Sequence, residues 1–435
     1  MKKYDLTLDD RNIIKTIEED WLERNQKIIN LMKLLNNIDE NFILSIDGDW
    51  GTGKTFFVKQ LKYICNNLDA ISCLRKNKDI EKIKQFSKKH LPIYYNAWEN
   101  DNHGNALESL IYNILNEYPE YKKEIENPKG LFASIKPILM NIIKKGSLGI
   151  ISKECFENLN SFEDLAKNIF TVEETINALN YLFNAILDKE ERLLLIVDEL
   201  DRCRPNYAVE MLETLKHCYN NSKLTIIVVT NNRQLSYTIK NYYGSEFDGY
   251  GYLNKIYDTV ITLETENLDN YVKKHCQITK SINLPENMSV LLFKYLHFSY
   301  RECNKYMSMY RIVEPYTKFK DDFNRDAFLF ESDILLPISL ALKIKNIDEY
   351  NKFVTGRGEQ FIKDLLNSIP LFDTEDLFIG WFKNILNVIG NEALEETFIN
   401  KYKSIFSNKP RFDKFPYLEA ISMLGNSINF FEEEK

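Results

Sequence analysis

The spacing Gly48-x-x-x-x-Gly53-Lys54-Thr55 is one that can hold a phosphate chain. Glycines there let backbone N–H groups curl round anionic oxygens without a Cβ in the way, and a helix opening at Lys54 adds its positive end to the same anion. Lys54 is placed to neutralise β- and γ-phosphates and the Thr55 hydroxyl to ligate Mg2+. Asp49, Gly51 and Thr52 complete the loop, and Trp50 within it either stacks near the nucleotide or packs the loop itself. A second group follows the apolar run 193–197, Leu-Leu-Leu-Ile-Val, where Asp198 and Glu199 stand next to each other. A strand that ends this way holds Asp198 at the carboxyl edge of a sheet, able to bind the same Mg2+ through water, with Glu199 placed to polarise an attacking water. Together the two groups describe a site for a nucleoside triphosphate and Mg2+ at which hydrolysis, rather than binding alone, is the expectation. A third group, Thr230-Asn231-Asn232-Arg233, follows the run 224–230. A polar side chain here, with Asn232 the candidate, would hold the attacking water or sense the γ-phosphate; a turn-forming Asn-Asn pair accounts for the same residues equally well.

Such groups need a sheet to bring them together. Apolar runs at 42–46, 91–95, 193–197, 224–230 and 259–263 read as strands, and between them lie helical patterns at 58–64, 106–115, 172–187 and 208–218. This alternation predicts an α/β fold, a P-loop NTPase with a parallel sheet and helices on both faces. A long stretch separates Lys54 from Asp198, so a helical insertion is expected over about 100–190. Ahead of the sheet, Ile13, Ile14, Ile17, Trp21, Ile28, Leu31, Leu34 and Leu35 approximate a helical period, which predicts one amphipathic helix across 9–36. Beyond about residue 265 strand-like runs become rare and helical spacing takes over at 290–296, 304–312, 361–366 and 377–388, predicting an all-α C-terminal region. Pro285, Pro315 and the Gly356-Arg357-Gly358 turn are candidate joints.

The chain has 435 residues, 44% hydrophobic and 28% charged, with a formal net charge of −8. That balance is globular, excludes a uniformly basic nucleic-acid coat, and leaves material for two or three domains. Seven cysteines without a CxxC pair and five histidines without metal-ligand spacing argue against a disulfide framework and a structural zinc. There is no apolar leader after Met1 and no apolar run long enough to cross a bilayer, so the expectation is a soluble, cytoplasmic protein without a transmembrane segment. Residues 75–90 carry seven Lys and Arg against Asp79 and Glu81, which suits either a nucleic-acid backbone or, more simply, a solvated helix face. The acidic tail Glu432-Glu433-Glu434 reads as a solvated terminus.

The run Asp198-Glu199-Leu200-Asp201-Arg202-Cys203-Arg204-Pro205 closely resembles the KAP family of P-loop NTPases, of the additional-strand (STAND) class. Tyr95-Asn96-Ala97-Trp98 looks like the family's strand-two motif, and Tyr252-Leu253-Asn254-Lys255-Ile256 like its segment before the last strand. Residues 299–306, Ser-Tyr-Arg-Glu-Cys-Asn-Lys-Tyr, are a looser match to the arginine motif of the family's helical lid. The resemblance covers about 10–310; joined to the spacing of the rest it gives a domain plan, with an N-terminal helical segment over 1–40, the NTPase core over 41–265, the lid over 266–345 and a helical region over 346–435. The resemblance also implies that Asp201 and Arg202 belong to the nucleotide site and that Arg301 reaches the γ-phosphate from the lid. An arginine suits that task because its planar fork stabilises charge on transferring phosphoryl oxygens; pairing with Asp201 or Glu302 is the plainer use of Arg202, Arg204 and Arg301.

The family belongs to a group of ATPases that often act as switches or assembly engines, with some members in bacterial phage exclusion and others membrane-associated scaffolds in animals. Many carry membrane helices between the two phosphate-site motifs, but the most apolar part of the insertion here, 135–151, contains Lys136, Pro137, Lys144, Lys145 and Gly146 and cannot span a bilayer. The resemblance therefore leads to a Mg2+-dependent ATPase that works as an oligomerising switch in antiphage defence, with a second copy or an effector protein as partner. The rival is an ATP-binding scaffold with little turnover whose tail aromatics (Phe372, Phe378, Trp381, Phe382) dock a partner. A nucleic-acid motor is a third reading.

Overall fold

The structure is a computed structural model. It describes residues 7–102, 105–120, 135–143, 171–187, 191–218, 222–265, 268–275, 284–313, 329–368, 377–388 and 393–406. Pro315, Phe372, Cys155, Cys276, residues 144–151 and the acidic tail lie outside these residues, as do the side chains of Phe378 and Trp381. Chain contacts divide it into two units, one formed by Leu8–Asp20 and Arg24–Glu264, the other by Trp21–Glu23 and the chain from Thr265 onward.

The first unit is built on five parallel strands: β1 (Phe42–Asp47), β2 (His90–Asn96), β3 (Arg192–Asp198), β4 (Leu224–Thr230) and β5 (Thr259–Thr262). Their order across the sheet is β2-β3-β4-β1-β5. β4 is thus interposed between the strand that leads into the phosphate loop and the strand that ends in Asp198, with Asp47 opposite Thr230 and Asp198 opposite Val229. β3 and β4 are buried along their whole length, as central strands of a parallel sheet must be. Side chains alternate between two cores. Leu193, Leu195, Val197, Ile226 and Val228 pack with the helices Ala106–Glu117, Val172–Ile186 and Pro205–Cys218. Leu194, Ile196, Ile227 and Val229 pack on the other face with Asp10–Glu18, Asn25–Asn36, Lys54–Asn67 and Ile80–Lys89. Each such buried side chain stabilises the sheet by about 1.5–3 kcal/mol, and a one-residue slip would exchange the two sets.

The single helix expected over 9–36 is two, Asp10–Glu18 and Asn25–Asn36. Between them Asp20 and Glu23 take positive φ, 46° and 50°. Local polar groups stabilise the break: the Asn25 side-chain amide donates to the Ile17 carbonyl at 2.7 Å, and the Asp20 carboxylate accepts from the Arg24 and Asn25 N–H groups at 2.9 and 3.2 Å. In the insertion, residues 135–143 form a helix whose Ile135, Ile138, Leu139 and Ile142 are buried in the first core, an ordinary packed helix. The basic stretch contains the helix Ile80–Lys89, which buries Ile83 and Phe86 while Lys33 pairs with Asp79 at 2.9 Å. No helix of the described residues is long and apolar enough to cross a membrane.

The second unit is helical throughout its described residues, as expected beyond residue 265. Aromatic contacts hold it: Phe293 with Tyr306 at 4.9 Å between ring centres, Phe330 with Phe398 at 5.1 Å, and Phe353 with Tyr402 at 5.0 Å. Phe382 is buried in that core beside Phe398, so it is part of the packing rather than a docking surface.

Candidate nucleotide site

At the carboxyl end of β1 the chain turns through residues 48–55 into the helix Lys54–Asn67. Gly51 and Gly53 adopt φ of 89° and 84°, the left-handed region where a Cβ is penalised. At Gly48 the constraint is room, since a Cβ there would lie 2.5 Å from the Leu263 carbonyl oxygen. Lys54, nearly buried, donates from Nζ to the Gly48 and Asp49 carbonyls at 2.5 and 3.1 Å. Burial lowers the pKa of its ammonium, while Asp201, Asp198, Asp47 and Asp49 all act to raise it.

Asp198, at the end of β3, is buried, and burial raises its pKa against the pull of its donors. Those are the Thr55 side chain, the Tyr94 hydroxyl at 2.9 Å and the Glu199 N–H at 2.8 Å, with Lys54 close enough to act through its charge. Glu199 follows in a left-handed conformation, φ 62°, and its carboxylate pairs with Arg202 at 2.6 Å. The Arg202 guanidinium lies over the Trp98 ring, 5.4 Å from its centre. Asp201 accepts from the Trp50 indole N–H at 2.5 Å, joining the segment after β3 to the phosphate loop. Trp50 is therefore tied down by its polar edge, with about half its surface exposed.

After β4, Asn232 is buried and turned inward: its amide meets the Ser45 hydroxyl at 3.1–3.3 Å, and its N–H donates to the Asp47 carboxylate at 2.8 Å. The neighbouring Asn231 is the one that reaches the loop, donating to the Asp49 side chain at 3.2 Å while it caps the helix Asn232–Tyr243. Arg204 pairs with Asp101 at 3.5 Å. Arg301 is exposed at the start of the helix Tyr300–Val313 in the helical unit, where Glu302 is engaged by Ser299 and by Lys345 rather than by Arg301.

Sequence reasoning missed Arg24. Its guanidinium is buried and donates to the Gly53 carbonyl at 3.2 Å and the Glu264 carbonyl at 2.9 Å, so one side chain braces both the last loop glycine and the exit of β5. It also missed Tyr94, which reads only as one more apolar residue of β2. A lone arginine in a helix pattern and a tyrosine in a strand carry no local signal of such partners.

The donor set suits a phosphate chain and a divalent cation. The turn offers backbone N–H groups and one lysine, and four carboxylates act on that lysine. The acids around Lys54 outnumber the cations, which leaves negative charge for a metal to balance, and the Thr55 hydroxyl and the Asp198 carboxylate it bonds are hard oxygen ligands of the type Mg2+ takes.

The KAP family P-loop domain matches residues 24–299. The chain belongs to that family. The assignment accords with a nucleotide-binding P-loop core in which one strand separates β1 from β3. Among curated proteins no sequence matches. Solved structures that align with this KAP-family chain include the following two. The Aeropyrum pernix ORC1 protein in complex with DNA is 11% identical, covers 99% of this chain and 85% of its own, and has a TM-score of 0.35. The C. elegans PCH-2 structure is 10% identical, covers 94% and 73%, and has a TM-score of 0.23.

Proposed function

We propose that the protein is a Mg2+-dependent ATPase that serves as a nucleotide-gated, oligomerising switch. The observation that carries this is the contact of Thr55 with Asp198 beside Lys54, with Glu199 as the next residue. The loop 48–53 and Lys54 bind the phosphates, Lys54 exchanging its two carbonyl partners for phosphate oxygens. Thr55 and Asp198 hold Mg2+, which when bound supplies charge to balance the phosphates. Glu199 orients and polarises the attacking water, and Arg202, already paired with it, is the arginine that can turn to the developing charge. Asn231 and Asn232 link the exit of β4 to Asp49 and Asp47. A component of antiphage defence is the biological setting that the family resemblance favours, with a second copy or an effector protein as partner.

The test is ATP turnover per protomer across a dilution series, beside Lys54→Ala and Glu199→Gln. Turnover that rises with concentration and dies in both variants is the expected result. Turnover per protomer independent of concentration removes the shared-site switch, and persistence in Lys54→Ala removes the site. Efficiency of phage plating on cells carrying the wild type or Lys54→Ala tests the setting.

A second reading is favoured by the 2.6 Å ion pair between Glu199 and Arg202. A carboxylate engaged in this way is withheld from water, which suits a scaffold that binds ATP and turns over slowly until a partner draws Arg202 aside. Nucleotide retained through purification with single turnover would support it.

A further inference from the structure

Tyr94 stands on β2, an edge strand, opposite Ile196 in the parallel register and so two positions short of Asp198. Side chains two apart on a strand share a face. Tyr94, Ile196 and Asp198 therefore all project towards the face covered by the helix Lys54–Asn67, in the core where Ile196 is buried and Tyr94 packs. To touch Asp198 from that register a side chain must run diagonally along the sheet and end in a donor. The Tyr94 hydroxyl does so, donating to Asp198 Oδ2 at 2.9 Å while Oδ1 accepts from the Glu199 N–H at 2.8 Å. The ring is fixed from above by Lys59, whose ammonium lies 4.6 Å from its centre. Lys59 sits on the same helix that begins with Lys54 and Thr55. One tyrosine thus ties the edge strand and the phosphate-loop helix to a single carboxylate.

We propose that Tyr94 is a positioning residue for the divalent cation: its hydroxyl locks the Asp198 carboxylate in the orientation in which it and the Thr55 hydroxyl face one Mg2+. The inference rests on the reading above that Thr55 and Asp198 hold the metal. It assigns Tyr94 no contact with substrate. A donor that orients a metal-binding carboxylate typically controls metal affinity by about 10- to 100-fold, and a tyrosine that merely filled space would not.

The experiment uses the full chain and Mn2+ as the probe, titrated in the presence of saturating ADP and followed by electron paramagnetic resonance. Tyr94→Phe keeps the ring and removes only the donor. Its expected Mn2+ affinity is about 10- to 100-fold below wild type, with ADP binding in EDTA close to wild type. Wild-type Mn2+ affinity in Tyr94→Phe overturns the proposal. So does a pattern in which Tyr94→Leu loses Mn2+ but Tyr94→Phe does not, since the ring rather than the hydroxyl would then be responsible. Asp198→Asn separates the two layers: if it binds Mn2+ like wild type, the metal assignment itself falls and Tyr94 with it, whereas failure of Tyr94→Phe alone leaves that assignment standing.

Discussion

Glu199 occupies a backbone conformation, φ 62°, that disfavours any residue with a Cβ by about 1–3 kcal/mol. The turn gives the Asp198 carboxylate the Glu199 N–H at 2.8 Å and brings the Glu199 carboxylate to Arg202 three residues on. Two substitutions separate the geometry from the chemistry. Glu199→Gln keeps the shape and removes the base, so ATP binding should persist while turnover falls by about 100- to 10,000-fold. Glu199→Gly relieves the conformation, so turnover is lost equally while stability against urea is unchanged or higher by about 1 kcal/mol. A Gly variant that is much less stable would show that the ion pair to Arg202 outweighs the backbone penalty. Arg24 presents the opposite case, a residue whose role is wholly in its contacts. Arg24→Met leaves the Gly53 and Glu264 carbonyls without their donor and should lower stability by about 2–4 kcal/mol. Chemical denaturation measures that loss, and a parallel weakening of nucleotide binding would show that the loop itself has loosened.

Between elements, Gly48 packs against the chain just past β5 with no room for a side chain. The obstructing atom is a backbone carbonyl oxygen, Leu263 O, one residue past β5, where the Leu263 N–H is held by the Asp47 carbonyl at 2.7 Å. Gly48→Ala should therefore push the loop off β5, lowering stability by about 1–3 kcal/mol and nucleotide affinity by roughly tenfold or more; calorimetric titration with ADP reads the second effect. Gly48 belongs to the part of the site that was legible in the sequence. A loop spacing, an apolar run ending in two acids and a strand–helix alternation are local patterns, and β1, β3 and β4 fall where those patterns put them. The remainder depends on what meets what across the fold. The split at Asp20 was hidden because the apolar spacing continues through it, and only the Asp20 and Asn25 hydrogen bonds decide the break. Asn231 and Asn232 are the same residue type side by side, and it is their order at the helix start that sends one to Asp49 and the other to Ser45. Tyr94 finds Asp198 only through strand register, which no window along the chain contains.

For the whole molecule, two units of different construction imply two separately addressable stabilities. The helical unit carries Glu331 in the π-helical turn Phe330–Leu335, buried and with neither carboxylate oxygen hydrogen-bonded among the described residues. Burial raises its pKa to about 8 from an ordinary value of 4.5. The folded form therefore holds its proton more tightly than the unfolded form, so the stability of this unit is greatest below pH 4.5, falls as pH rises towards about 8, and levels off above it. Glu331→Gln should remove most of that slope and raise stability at pH 8.5 by a few kcal/mol, roughly the scale of the shift. The other unit carries the phosphate loop, so nucleotide at a hundredfold excess over its Kd should stabilise it by about 2.7 kcal/mol. Calorimetric melts of wild type and Glu331→Gln, at pH 5 and 8.5, with and without Mg·ADP, make a full cycle. Two transitions, one moved by nucleotide and the other by pH and the substitution, would assign each to its unit. A single transition moved by both would mean that the units melt as one cooperative body, and a nucleotide signal at the phosphate loop would then reach the helical unit through that cooperativity.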